Sequence, residues 1–186
     1  MIRSNLEIYS IAVSLVASTG FGQSVRFSIT GDDESPLPCR IHLADEQGKS
    51  VKATNVPSWD DHFVCDGQVN MDVPEGKYSW VIERGPEYRP ASGTFQCAAD
   101  ETTSIALQLK RIASMRDEGW YCADLHVHRP VSDIALLMLA EDLDYAPVLQ
   151  WWNQPATATK AEPTLDFRFD GHRRFTFLAG DDERLG

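Results

Sequence analysis

The chain has 186 residues, 42% hydrophobic and 24% charged, a balance that supports a buried core and excludes an intrinsically disordered polymer. A formal net charge of -11 repels phosphate backbones, and no run of lysine or arginine offers a local exception, so nucleic acid is excluded as a partner. Four cysteines, Cys39, Cys65, Cys97 and Cys122, show no C-x-x-C spacing and so no zinc-ribbon or thioredoxin pattern; each reads as a small buried hydrophobe or, after export, as half of a disulfide of open pairing.

Residues 1–23 carry one basic residue, Arg3, then an apolar stretch from Ile8 to Ala17 and small residues at Ser18, Gly20 and Gly22. This order is that of a signal peptide, which places the mature chain in the periplasm or outside the cell; a first buried strand or short helix is the alternative. The apolar stretch is too short to cross a bilayer as a helix, so no membrane span is expected.

From Ser24 to Ile112 apolar residues alternate with polar ones: Val25, Phe27, Ile29; Cys39, Ile41, Leu43; Val69, Met71, Val73; Tyr78, Trp80, Ile82; and Thr103, Ile105, Leu107, Leu109. That is the period of half-buried strands. With turn signals at GDDESPLP, DEQGK, CDG, PEGK and RGPEYRP it predicts an antiparallel β-sandwich of six or seven strands. Asp32, Asp33 and Glu34 read as a solvated acidic turn rather than a calcium loop. The stretches PCRIHLADEQGKSV and VPEGKYSWVIERG make this half resemble the carboxypeptidase-regulatory-like or transthyretin-like modules that precede many exported bacterial enzymes.

Residues 113–118 are polar and unpatterned, and we place a linker there. The pattern then changes to a strand, WYCADLHVH, a helix over VSDIALLMLAED capped by Ser132 or Asp133, a strand YAPVLQWW, a polar stretch from Asn153 to Pro163, and a strand FTFLAG. Strand, helix, strand, long loop, strand opens a parallel α/β fold over residues 119–186.

Within this segment DLHVH places His126 and His128 at i and i+2 of a strand, on one face, with α-carbons about 6.6 Å apart. Two imidazole nitrogens so placed can reach one ion at about 2.1 Å each. Asp124 shares the face but lies about 13 Å from His128 along the strand, so it is expected to orient His126 rather than to bind. His42, His62 and His172 have no partner at ligand spacing and read as surface or internally satisfied histidines. Trp151 and Trp152 face opposite sides of a strand; the outward one, Trp152, with Asn153 and Arg129, is a candidate pocket wall for an anionic or sugar-like ligand.

The string GWYCADLHVHRP resembles the first motif of the PHP (polymerase and histidinol phosphatase) metallohydrolases, in particular the CehA/McbA-like branch, whose barrel follows an N-terminal β-module. The resemblance implies a multidomain chain, an antiparallel β-sandwich followed by the first β/α units of a (β/α)7 barrel. It also implies divalent ions (zinc, manganese or iron) and hydrolysis of phosphoesters. It suggests His126 and His128 as metal ligands and FLAGDDE as the place of a bridging carboxylate, either Glu183, favoured for its longer arm, or Asp182 in a supporting position. The chain departs from the family where Ala123 replaces a glycine and where Gln150, Trp151, Trp152 and Asn153 replace a Thr-Asp-His.

About 70 residues follow the linker, whereas a closed barrel takes about 200 or more, so an incomplete barrel is expected. The expected function is thus the front part of an exported metal-dependent hydrolase, inactive as this chain, with metal bound weakly or not at all. Its substrate would be a small phosphoester or another hydrolysable compound. The alternative is a non-catalytic surface protein that binds a glycan or a protein partner through a degenerate barrel.

Overall fold

A computed structural model describes residues 23–152, 167–171 and 173–182, and the side chains among them except at 150–152, 167 and 177–182. The alternating runs become β1 (Ser24–Thr30), β2 (Cys39–Asp45), β5 (Gln68–Asp72), β6 (Gly76–Glu83) and β8 (Thr102–Gln108). Between them lie β3 (Ser58–Trp59), β4 (His62–Cys65) and β7 (Ala91–Cys97). They form two sheets, β5-β1-β8 and β3-β4-β2-β6-β7.

Side chains of both sheets meet in one core that includes Phe27, Ile41, Phe63, Trp80, Ile82 and Ile105. Phe95 closes it, edge-on to Phe27 at 6.4 Å between centroids and stacked on Tyr78 at 5.1 Å. The Pro-Glu-Gly turn before β6 is pinned by the Tyr78 hydroxyl, which donates to the Pro74 carbonyl at 2.8 Å. The acidic turn is held by its own polar groups, Asp33 Oδ1 accepting from the Ser35 amide and hydroxyl.

Two features differ from the sequence expectation. One pairing is parallel rather than antiparallel, β1 with β8, because the chain enters β8 from the opposite sheet and runs alongside its first strand. The strand β4 shows no alternation, since Phe63, Val64 and Cys65 are all buried. Phe63 and Cys65 face the sandwich core, while the helix of the second half packs against the other face of β4, where Val64 is buried beside the partly exposed His62.

That second half begins with a 3-10 turn at Met115–Glu118, closed by Gly119 in the left-handed region, within the expected linker. Next come α1 (Ile134–Ala140), β9 (Tyr145–Trp152), β10 (Phe167–Phe169) and β11 (Arg174–Asp182). As expected, β9 and β11 are parallel; β10 adds an antiparallel edge that the sequence pattern did not announce. The segment expected as a full strand before α1 is irregular, touching β9 through parallel bridges at Ala123–Tyr145 and Val127–Val148. Asp133 is the N-cap residue but makes no capping bond; the Ser132 hydroxyl binds the Asp133 carboxylate at 2.9 Å instead. A second, separate core gathers Val127, Ile134, Met138, Ala146 and Val148. Among the described residues no helix is long and apolar enough to cross a membrane.

The two halves meet where Gly85 approaches the end of α1. With φ at +46° and a Cβ that would fall 2.5 Å from the Glu141 carbonyl oxygen, this position admits only glycine. Gly85→Ala is expected to cost about 2 kcal/mol in urea unfolding, through left-handed strain together with displacement of the helix end. Hydrogen exchange should show the loss concentrated in α1 and β9 rather than in β1.

Candidate functional site

Val127 points into the small core and its carbonyl accepts from the Leu149 amide at 2.8 Å. Its two neighbours are thereby turned out together. The imidazoles of His126 and His128 converge, Nε2 to Nε2, at 2.9 Å, with ring centroids 4.7 Å apart and planes at 73°. At this distance one ring donates an N–H to the other; two nitrogens on one tetrahedral ion would stand about 3.3 Å apart, so the pair needs to open by a few tenths of an ångström to clasp a metal. Asp124 acts on the main chain: its Oδ1 accepts from the His126 amide at 3.0 Å, holding the backbone from which the ring projects.

The clasp opens on a cavity of about 350 Å³ whose polar rim includes His62, Asp124 and Arg129, with Ile134, Leu137 and Met138 of α1 as an apolar floor. Arg129 donates to the Ser58 carbonyl at 3.2 Å and lies over the ring of Trp59, 4.9 Å from its centroid. Trp59, 62% exposed, is therefore an aromatic wall contributed by the sandwich, which sequence reasoning missed.

Of the sequence-expected residues, His126, His128, Asp124 and Arg129 come together. Trp152 and Asp182 are register partners at the carboxyl ends of β9 and β11, but their side chains are outside the described set. Asn153, Glu183 and His172 are outside the described residues altogether.

The expectation that His42 and His62 lack partners is corrected. They become cross-strand neighbours because β2 and β4 pair with Ile41 opposite Phe63. Asp61, in the turn before β4, lies between them: its oxygens are 3.2 Å from His42 Nδ1 and 2.9 Å from His62 Nδ1. The His62 bond is the main reason the Asp61 carboxyl is held below the usual carboxylate range. The sequence signal was only a pair of aspartates before a histidine; the partner across the sheet depended on strand register.

The position of α1, and so of the cavity floor, is set by ion pairs at its carboxyl end. Asp142 takes the left-handed conformation, φ 56°, just past the helix; the Leu143 amide bonds the Met138 carbonyl at 2.9 Å and the Asp142 amide bonds that of Leu139 at 3.3 Å. This is a Schellman ending with aspartate where glycine is usual. The Asp142 carboxylate receives Arg84 at 2.9 Å, Arg111 at 2.8 Å and Arg174 at 2.7 Å. Burial alone would raise its pKa; the three guanidiniums, Arg84 foremost, outweigh burial and hold it at about 2. Nearby, Arg40 joins Glu83 of β6 to Glu141 of the helix end.

Compared with models of known protein families, the chain matches none. No curated protein matches it either.

Proposed function

We propose that this chain is the N-terminal part of an exported, PHP-like metal-dependent hydrolase acting on a small phosphoester or a related substrate. The observation that carries the reading is the His126–His128 clasp, with Nε2 atoms 2.9 Å apart at the mouth of a cavity with an apolar floor. The paired imidazoles suit zinc or iron, whereas manganese would depend on added carboxylates such as Glu183. On this reading His126 and His128 hold the ion, and Glu183 and further carboxylates complete its shell. Such an ion supplies charge stabilisation at a phosphoryl or carbonyl oxygen and makes water more acidic.

The chain's own groups have separate tasks. Asp124 fixes the His126 backbone, which limits the approach angle of that ring. Arg129, held over Trp59, presents a guanidinium to an anionic ligand in the cavity. Ile134, Leu137 and Met138 exclude water from one side. Two histidines with at most one carboxylate fall short of a closed structural site, so the ion is held weakly and the chain alone has little or no turnover.

The second reading, a surface module binding glycan or protein, draws on the exposed Trp59 and on Trp120 and Tyr121, 66% and 70% exposed. Long-range ¹H–¹⁵N spectra of the histidine rings separate the two. Added zinc should shift the Nε2 resonances of His126 and His128, and His126→Ala should remove the effect at His128 by weakening binding at least about tenfold. Unchanged rings at millimolar zinc would rule out the hydrolase reading and leave the surface module.

A further inference from the structure

The cluster on the outer face of the sandwich has a charge arrangement that a hydrogen-bond network of neutral groups does not satisfy. His42 has a carboxylate oxygen at both ring nitrogens, Glu83 Oε1 at 3.1 Å from Nε2 and Asp61 Oδ2 at 3.2 Å from Nδ1. A neutral imidazole carries one N–H, so it can donate to one of these and must turn a lone pair toward the other; an added positive charge, either a second ring proton or a metal ion, satisfies both. When Nε2–H donates to Glu83, the Nδ1 lone pair and the Asp61 carboxylate face each other across a gap that calls for a positive charge. His62 adds a third donor to the same gap, its Nδ1 at 2.9 Å from Asp61 Oδ1 and its ring centroid 5.2 Å from that of His42.

One ligand atom from each of His42, Asp61 and His62 can be chosen so that all lie within 4.8 Å of one another. Nitrogen and oxygen ligands on one tetrahedral ion stand about 3.3 Å apart, close to the 2.9 and 3.2 Å contacts that the two Asp61 oxygens make with the two rings, and the remaining edge lies within 4.8 Å. The histidines come from paired strands of a buried sheet, which gives them a rigid base, whereas the Asp61 side chain is 67% exposed and free to adjust. Two imidazoles with one carboxylate and an outward opening make the three-ligand set of an open zinc site. Arg40, which shares Glu83 with His42, is also engaged by Glu141.

We infer that His42, Asp61 and His62 bind a divalent transition-metal ion of the zinc type, with Glu83 as a positioning residue that fixes the His42 tautomer by accepting its Nε2–H. The site is separate from the His126–His128 clasp and stands on different residues. His62 nevertheless lines the cavity onto which that clasp opens, so both ions would border one space.

The test uses the full chain bearing His126→Ala and His128→Ala, titrated with zinc by calorimetry and followed by the ring ¹⁵N resonances. One equivalent should still bind, with shifts at Nδ1 of His42 and His62 while His42 Nε2 keeps its proton. Asp61→Asn, a change at an exposed turn, should leave the melting temperature unaltered and weaken zinc at least tenfold. Glu83→Gln should weaken it about 10- to 100-fold. Absence of a zinc equivalent in the chain lacking His126 and His128 would overturn the inference. So would zinc affinity unaffected by Asp61→Asn together with His42→Gln.

Discussion

Asp142→Asn is expected to destabilise the protein by about 3 kcal/mol at pH 7, at the lower edge of what breaking a buried ion pair costs. Asparagine keeps the size of the side chain and tolerates the left-handed backbone that Asp142 adopts, so the change isolates the charge. It leaves Arg84, whose side chain is only 6% exposed, without the carboxylate it pairs with, and Arg174, 4% exposed, with Asp170 alone. The acid limb of the stability curve gives an independent check. The folded pKa of Asp142, about 2, lies below its ordinary value of 3.8, so its contribution is complete above pH 4. That contribution, about 2 kcal/mol from the size of the shift, fades as pH falls toward 2. Urea midpoints measured from pH 5 to pH 2 should therefore fall less steeply in the asparagine variant than in the parent. Parallel curves would show that the three arginines do not act through this carboxylate.

Phe27→Ala should be still more costly, about 3–5 kcal/mol, and should lower the melting temperature by about 10 °C. Phe27 is fully buried on the central strand of the smaller sheet, and its loss removes the edge-on partner of Phe95 from the middle of the sandwich. The cavity cannot collapse easily, because Phe95 is itself stacked on Tyr78. Val81→Ala, on the exposed side of β6, is the control and should stay within about 0.5 kcal/mol. Similar losses for the two variants would mean that the alternation along these strands does not mark the core.

Much of the sandwich could be read in advance because alternation is a local property. Val25, Phe27 and Ile29 need only be two residues apart to share a face, whichever strand comes to lie beside them. For His126 and His128 the i, i+2 spacing was legible, but their convergence also depends on Val127 docking against β9 and the second core. Strand β4 escaped that reading because α1, about 70 residues later, covers its second face and removes the polar half of the pattern. The strand β7 starts Ala-Ser-Gly, poor strand formers that take their place through pairing with β6.

The candidate sites divide in the same way. Spacing within one segment was enough to determine a β-rich first half and, in the second half, a helix followed by strands, since each rests on backbone geometry over a few residues; the strand expected before that helix is instead irregular. The cross-strand meeting of His42 with His62, the Trp59 wall beside Arg129 and the three arginines around Asp142 were decided by folding alone. Each joins residues far apart in the chain, and their proximity depends on strand register and on how α1 docks. No periodicity encodes that, because register and docking are chosen by the burial of whole faces rather than by the polar residues that those faces happen to bring together.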